Sequence, residues 1–199
     1  MVKATGKGSE ALRVIRLCRI IRHMDERIVS DELMYEGPIC RVHRIGLRAD
    51  NGRVLPRDLI ELAQATVIVP VLDDGALVLV ANRRFAVGEV LLEFPAGKLD
   101  AGEGPDGCAA RELVEETGYS AGELCRLGGF YTSPGAVTEY IHAYLATSLS
   151  PGRQQLQDSE HIDVRTVGAA DLERMVREGE IHDAKSIAAW ALWRMREKR

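Results

Sequence analysis

The chain has 199 residues, of which 46% are hydrophobic and 28% charged, a composition typical of a globular protein with a buried core. The 26 basic and 30 acidic residues give a formal net charge of −4, which argues against a general binder of nucleic acid or of anionic membranes. No apolar run reaches the ~18–20 residues of a membrane span, and residues 1–10 lack the apolar core of a secretory signal. These features predict a cytoplasmic protein.

The N-terminal part of the chain is predicted to be a separate, strand-rich region. Residues 1–10 are small and polar and are expected to be disordered. Residues 11–24 alternate arginine with aliphatic residues and could form a helix or a strand with one apolar face. Branched residues over 39–47, an Asp-Asn-Gly turn at 50–52 and the segment 54–62 that follows the turn predict a hairpin.

The middle of the chain is predicted to continue with strands and then a helix. Apolar residues over 65–72 and 76–81, separated by an Asp-Asp-Gly turn, predict a second hairpin, and 90–94 predicts a further strand. Pro105 suits a first helical turn and Gly118 suits a helix C-terminus, so a helix is expected between them.

The C-terminal third is predicted to be mixed. It is predicted to contain strands at 127–131 and 140–147, a loop at 148–160, a strand at 162–167, and helices at 169–177 and 184–197. Asp183 is placed to cap the last helix. The order of elements predicts an α+β fold rather than the regular alternation of a doubly wound sheet.

Cysteine and histidine usage predicts no redox or metal cluster. The four cysteines, Cys18, Cys40, Cys108 and Cys125, are scattered without a Cys-x-x-Cys pair. Their even number permits disulfides, but a cytoplasmic chain of this size favours reduced structural thiols. The five histidines are isolated from one another in the sequence, which favours structural roles for them.

Residues 97–119 carry the pattern with the clearest chemistry. Glu112 and Glu116 are four apart on the predicted helix and share a face, and Glu115 lies beside them. Like charges at this spacing oppose helix formation. A hard divalent cation such as Mg²⁺ offsets that cost because it prefers oxygen ligands. Arg111, next to the cluster, could pair with it.

The spacing of this segment resembles a complete Nudix box. Gly97 is followed after five residues by Glu103 and after seven more by Arg-Glu-Leu-Val-Glu-Glu-Thr-Gly-Tyr, starting at Arg111. The resemblance implies a Nudix fold, a mixed β-sheet sandwiched between α-helices, and hydrolysis of a nucleoside diphosphate linked to another moiety. It also implies that Glu103 and Arg111 form a structural pair that holds the loop.

The resemblance further implies how a metal would be held. Glu112 and Glu116 would be metal ligands, Glu115 a direct or water-mediated ligand, and Ala96 would donate its carbonyl oxygen. Two or three Mg²⁺ ions are expected, with Mn²⁺ as the alternative metal. The ions would bridge the substrate phosphates and lower the pKa of a bound water.

A second segment resembles the ADP-ribose pyrophosphatases within the superfamily. Pro134 lies sixteen residues beyond Gly118 in a Ser-Pro-Gly turn, and Glu139 follows shortly after. The resemblance implies hydrolysis of ADP-ribose to AMP and ribose 5-phosphate. Glu139 is the first candidate for the general base, and Glu115 is the alternative.

Two arginines are candidates for substrate binding. Residues 82–86, Asn-Arg-Arg-Phe-Ala, stand where the family often has Gln-Tyr-Arg-Tyr, and Arg84 matches the arginine that contacts substrate phosphate in relatives. Arg57 is a second candidate for the phosphates or the adenosine end, because arginine suits bidentate phosphate contacts. Trp190 and Trp193 could stack on adenine, but packing in the core or at an interface is favoured.

The likeness covers residues from about 30 to 190, including Glu93 and the Asp-Ala-Lys sequence at 183–185. It implies two domains: a small antiparallel strand domain at 11–62, exchanged between the subunits of a homodimer, and a Nudix hydrolase domain at 63–199. The expected partners are therefore a nucleoside diphosphate sugar and a second copy of the chain, without nucleic acid or membrane.

Two other functions remain open at this point. A sibling hydrolase would act on another nucleoside diphosphate sugar, such as GDP-mannose, with the same carboxylate cluster. A binding protein of a different class would sense ADP-ribose without hydrolysing it. Mg²⁺-dependent release of AMP from ADP-ribose distinguishes these alternatives from the main hypothesis.

Overall fold

The computed structural model describes residues 27–157 and 161–197. The described residues divide into two compact units. The first unit contains residues up to 62 together with 133–138, and the second contains 63–132 and the residues from 139 onward. The predictions for residues 1–10 and 11–24, and the one for Cys18, lie outside the described residues.

The first unit contains a three-stranded antiparallel sheet in the order β1-β2-β3. Its strands are β1 (Ile28–Glu36), β2 (Cys40–Arg48) and β3 (Val54–Leu62). Gly52 takes a φ of 80° in the turn between β2 and β3, and its amide donates to Ala49 O at 2.8 Å. Glycine accepts this left-handed backbone conformation without steric cost, so the predicted turn and hairpin are confirmed.

The segment 133–138, which contains the Ser-Pro-Gly turn, pairs with β3. The amide of Ile60 donates to Ala136 O at 2.7 Å, and the amide of Thr138 donates back to Ile60 O at 3.0 Å. The hydroxyl oxygen of Thr138 accepts a further hydrogen bond from the amide of Leu62 at 3.0 Å. The turn therefore leads into a segment that satisfies the open edge of β3.

The second unit contains two sheets and three helices. The strands are β4 (Ala65–Pro70), β5 (Leu77–Arg84), β6 (Glu89–Glu93), β7 (Ala96–Lys98), β8 (Tyr119–Tyr131), β9 (Tyr140–Pro151) and β10 (Ile162–Val167). The helices are α1 (Pro105–Thr117), α2 (Ala169–Glu178) and α3 (Ala184–Glu197). One sheet has the order β10-β5-β6 and the other β7-β4-β9-β8. The second is mixed, because β4 and β9 run parallel whereas its other pairs are antiparallel.

The four-stranded sheet is covered by helices on both faces. Alternate residues of β4 point to opposite faces: Val67 joins a core cluster that includes Trp190 and Trp193 of α3, whereas Ile68 packs with Leu113 of α1. The two tryptophan rings meet edge to face at 5.3 Å and each residue is 8% exposed, which confirms their predicted packing role. The predicted α+β class, with a mixed sheet between helices and an N-terminal antiparallel sheet, is confirmed.

Some predicted boundaries were wrong. Residues 148–151 belong to β9 rather than to a loop, because they pair with the first residues of β8. No strand was predicted at the position of β7, but its three residues pair with the edge of β4. Each of the three helices in the described part of the chain falls short of the length and apolarity that crossing a membrane requires.

Candidate active site

Helix α1 places two glutamates on its buried face. The helix begins with Pro105 at its first turn and ends at Gly118, whose φ of 77° forms a left-handed cap. Glu112 is 8% exposed and Glu116 is 4% exposed. A buried carboxylate is costly unless it is paired and hydrogen-bonded, so the surroundings of these two side chains define the site.

β7 approaches these carboxylates through its backbone. A Cβ atom on Gly97 would lie 1.9 Å from the carboxylate of Glu112, so a side chain at this position would force the carboxylate of Glu112 to move. The amide of Ala96 donates to Oε2 of Glu116 at 2.9 Å. The structure thus brings the predicted residues Ala96, Glu112 and Glu116 together.

Arg111 ties the remaining carboxylates of the segment together. It binds Glu103 through Nε (3.0 Å) and Nη2 (2.8 Å), and its Nη1 donates to Glu112 (2.7 Å) and Glu115 (3.0 Å). Its Nη2 also donates to Lys98 O at 3.1 Å. The predicted pair of Glu103 and Arg111 is confirmed, as is pairing of Arg111 with the cluster. One guanidinium faces three carboxylates, so an excess of negative charge remains.

The glutamates are engaged by protein groups rather than arranged as a ready metal cage. Among residues 27–157 and 161–197, no group of three or more His, Cys, Asp or Glu side chains is arranged to hold a metal ion. Glu112 and Glu115 contact Arg111, and Glu116 contacts the amide of Ala96. The donor set still fits a hard cation, because Glu112, Glu115 and Glu116 on α1 supply carboxylate oxygens, the ligands that Mg²⁺ prefers.

Hydrogen bonds from Arg111 lower the pKa of Glu103 to about 2, compared with 4.5 for an ordinary glutamate. A lowered pKa stabilises the folded state at pH values above 4.5, and this contribution is lost as the pH falls towards 2. The same contacts raise the pKa of Arg111, so the guanidinium remains charged throughout.

We expect Glu103→Gln to be less stable than the wild type at pH 7, with a difference that shrinks between pH 4.5 and 2. Urea denaturation followed by circular dichroism across this range measures the difference. Glu173→Gln is the matched control, because Glu173 is exposed on α2 and pairs only with Arg177 there. A difference for Glu103→Gln that stays constant down to the lowest pH would contradict the prediction.

The predicted substrate arginines lie in different units. Arg84, at the end of β5, binds Glu93 through Nε (2.8 Å) and Nη2 (2.6 Å). These hydrogen bonds raise the pKa of Arg84, and the charges of Glu93 and Glu116 also favour its cationic form. Arg57 is exposed on β3 and donates to Pro56 O at 2.8 Å.

Glu139, the first candidate base, lies directly before β9. Its backbone oxygen accepts a hydrogen bond from the amide of Thr132 at 3.3 Å. Within the described part of the chain, no hydrogen bond or ion pair engages its carboxylate. Glu115, the alternative, is held by Arg111 at 3.0 Å.

A buried ionic cluster lies beside Arg84, and it was given no role in the predictions from sequence. Glu93 is 1% exposed and also contacts Lys185, which in turn binds Asp183 at 3.0 Å. The available signal was a glutamate within the apolar run Leu-Leu-Glu-Phe, because a charged residue inside a buried strand requires partners. The partners themselves are 92 residues away in the chain and carry no pattern that points to Glu93.

The thiols of the described cysteines Cys40, Cys108 and Cys125 are all free, as predicted. Cys108 is fully buried on α1, where burial raises the pKa of its thiol to about 11. Cys125 is exposed on β8.

We expect Cys125 to react with iodoacetamide at pH 8 in the native protein while Cys108 stays unmodified, because the thiolate is the reactive species and Cys108 is neutral and inaccessible. Peptide mass spectrometry after timed labelling measures both sites. In urea both cysteines should be modified, which is the control that each thiol can react with iodoacetamide. Equal labelling of both in the native protein would contradict the structure around α1.

Comparisons with known proteins agree with this geometry. The NUDIX domain matches residues 62–190. The chain is 31% identical over 179 residues to an ADP-ribose pyrophosphatase of Bacillus subtilis, covering 89% of this chain and 97% of that protein. It is 36% identical to an ADP-ribose pyrophosphatase of Mycobacterium tuberculosis, covering 82% and 81% of the two chains.

Two further similarities are more limited. A GDP-mannose pyrophosphatase of Salmonella typhimurium is 39% identical over 101 residues, which cover 49% of this chain and 52% of that protein. A solved structure described as an ADP compounds hydrolase superposes with a TM-score of 0.75 at 24% identity, covering 86% of this chain and 93% of that chain. At this identity the likeness shows the shared fold.

Proposed function

Because the chain belongs to the Nudix family, we propose that it is a Nudix pyrophosphohydrolase that cleaves ADP-ribose into AMP and ribose 5-phosphate. The observation that carries the proposal is the placement of Glu112 and Glu116 on the buried face of α1, against the backbone of Ala96 and Gly97. The two ADP-ribose pyrophosphatases, matched over most of the chain, support ADP-ribose as the substrate.

The metal is proposed to be Mg²⁺, two or three ions, with Mn²⁺ as the alternative. Glu112, Glu116 and the carbonyl of Ala96 would hold it, with Glu115 as a direct or water-mediated ligand. When bound, the metal supplies positive charge for the pyrophosphate and acidifies a water molecule. Arg111 would orient Glu112 and Glu115, because it contacts both carboxylates.

Glu139 is proposed to accept the proton from the attacking water. Its carboxylate has no hydrogen-bond or ion-pair partner within the described residues, whereas the carboxylate of Glu115 is held by Arg111 at 3.0 Å, so Glu139 is the candidate whose carboxylate is available to a water molecule. A positioned general base contributes about 10²–10⁴ in rate. Glu115 remains the alternative base.

Arg84 is proposed to bind the substrate phosphates and Arg57 to bind the phosphates or the adenosine end. Arginine presents planar donor pairs that match phosphate oxygens. Of the two arginines, Arg84 is the better supported, because the negative charge of Glu116, a proposed metal ligand, favours the cationic form of Arg84.

The N-terminal strand domain, residues 11–62, is proposed to exchange strands across a homodimer, with 63–199 as the hydrolase domain. β1 is an edge strand of its sheet, and Val29, Leu33 and Tyr35 on it are 40%, 47% and 55% exposed. An exposed apolar edge is a surface that a second copy can cover. The cytoplasmic location and the absence of nucleic-acid binding stay predictions from composition.

GDP-mannose hydrolysis is the second candidate, favoured by the similarity to the GDP-mannose pyrophosphatase over half of the chain. The same carboxylate cluster would serve both substrates. Selectivity for the nucleobase of the substrate would depend on residues outside that cluster.

The proposal is tested with a panel of nucleoside diphosphate sugars in Mg²⁺, with products identified by ion-exchange chromatography. We expect ADP-ribose to yield AMP and ribose 5-phosphate. The kcat/KM for ADP-ribose should be at least about 10-fold higher than that for GDP-mannose. EDTA should abolish the activity, and added Mg²⁺ should restore it. A preference for GDP-mannose would establish the second candidate. Tight ADP-ribose binding without turnover of any sugar would establish a sensor instead.

A further inference from the structure

The link between β6 and β7 is anchored residue by residue. The amide of Phe94 donates to Oγ of Ser186 at 2.8 Å, and the carbonyl of Pro95 accepts from the amide of Ile68 at 2.9 Å. The next amide, at residue 96, is the one that contacts α1. The backbone that enters the carboxylate cluster is therefore held in part by the start of α3, to which Ser186 belongs.

Glu93, at the end of β6, is a buried carboxylate with two cationic partners. It is 1% exposed, and it accepts hydrogen bonds from Nε and Nη2 of Arg84 and from Nζ of Lys185. Removing a buried charge from water costs several kcal/mol unless well-placed partners compensate. Arg84 and Lys185 share this compensation.

Asp183 fixes Lys185 at the start of α3. Its Oδ1 binds Nζ of Lys185 at 3.0 Å, while its Oδ2 accepts from the amide and the hydroxyl of Ser186 at 3.0 and 2.6 Å. This is the arrangement of a helix N-cap and confirms the predicted capping role. The helix start therefore sets the position of the lysine.

The contact with Glu93 determines which donors of Arg84 remain. Nε and Nη2 each donate to Glu93, and within residues 27–157 and 161–197 no hydrogen bond engages Nη1. The remaining edge, Nη1 with the second hydrogen of Nη2, is a planar pair of donors suited to a phosphate. The Arg84 side chain is 39% exposed, so a ligand can reach it.

We propose that Lys185, held by Asp183, is a positioning residue that fixes Arg84 for the substrate pyrophosphate by sharing Glu93 with it. The inference rests on the proposed function, and specifically on Arg84 as the phosphate ligand. Without the lysine, Arg84 is the one counter-charge left at Glu93 among the described residues and is drawn towards it, which turns the outer donor edge away from the phosphate. The carboxylates of α1 are untouched, so the change affects substrate binding more than the chemical step.

A double-mutant cycle on ADP-ribose hydrolysis tests the inference. We expect Lys185→Met to raise KM about 10-fold with kcat changed less than about 3-fold, and to raise KM less than about 2-fold in an Arg84→Lys background. Lys185→Arg should restore most of the wild-type KM, because it keeps a cation at Glu93. Arg196→Met, an exposed position on the same helix, is the control and should leave KM unchanged.

Circular dichroism and the melting temperature of each variant separate positioning from folding. If Lys185→Met does not fold, the double-mutant cycle is measured with Lys185→Gln instead, because glutamine can still donate to Glu93. An equal KM effect in both Arg84 backgrounds, or a loss of stability with wild-type KM in the folded fraction, overturns the inference.

The wild-type assay separates failure of the inference from failure of the proposed function. If the wild type prefers GDP-mannose, the ADP-ribose assignment fails and the cycle is measured on GDP-mannose. If the wild type hydrolyses no nucleoside diphosphate sugar, both the proposed function and the inference are overturned.

Discussion

Replacing Glu116 with glutamine is expected to lower kcat/KM for ADP-ribose by at least about 100-fold, with little loss of stability. Glutamine keeps the shape of the side chain, and its amide oxygen can still accept the hydrogen bond that Ala96 N makes at 2.9 Å. It removes the negative charge that a divalent cation requires. The variant therefore separates metal binding from folding.

Two measurements check this prediction. Steady-state kinetics in Mg²⁺ give kcat/KM, and the amount of free Mn²⁺ measured by electron paramagnetic resonance gives the affinity for a divalent ion without turnover. Glu123→Gln is the control, because Glu123 is an exposed glutamate on β8. Full activity of Glu116→Gln with unchanged Mn²⁺ binding would remove Glu116 from the proposed ligand set.

Replacing Arg111 with methionine is expected to lower the free energy of unfolding by about 2–3 kcal/mol at pH 7. The side chain contacts Glu103, Glu112 and Glu115 and is 26% exposed. Its removal takes away the guanidinium that these three carboxylates share. Saturating Mg²⁺ should recover part of the loss, because an ion bound to the proposed ligands supplies the missing positive charge.

Urea denaturation with and without Mg²⁺ measures both effects. Arg177→Met is the matched control, since Arg177 forms an exposed pair with Glu173 four residues away, a pair worth at most about 0.5 kcal/mol. A loss for Arg111→Met no larger than that of the control would show that the arginine is not needed to balance the cluster. A loss that Mg²⁺ does not change would argue against metal binding beside it.

Local sequence signals predicted the first and last residues of several elements. α1 runs from Pro105 to Thr117 and α3 from Ala184 to Glu197, because proline and glycine at the ends of α1, and Asp183 before α3, act through backbone geometry and short-range hydrogen bonds. The predictions of β3 and β10 were equally close, because both are compact runs of strand-forming residues bounded by turns or loops.

Other elements carry weak local signals and depend on their partners. β1 contains the polar sequence Ser-Asp-Glu and is a strand because β2 pairs with it. The first residues of β8 and the last of β9 hold each other in register. β7, three residues long, exists only along the edge of β4. In each case the hydrogen bonds that define the strand come from a neighbouring strand, which the residues of the segment itself do not encode.

The pattern of the carboxylate cluster could be predicted from the sequence, because Gly97, Glu103, Arg111, Glu112 and Glu116 lie within one continuous segment that ends in α1, where residues four apart share a face. That Glu93 joins Arg84 to Lys185, and that the segment 133–138 pairs with β3, is visible only in the folded chain. The contacts of Lys185 with Glu93 and of Thr138 with Leu62 join residues 92 and 76 positions apart in the chain. The burial that makes them energetically important arises when the sheets and helices pack together.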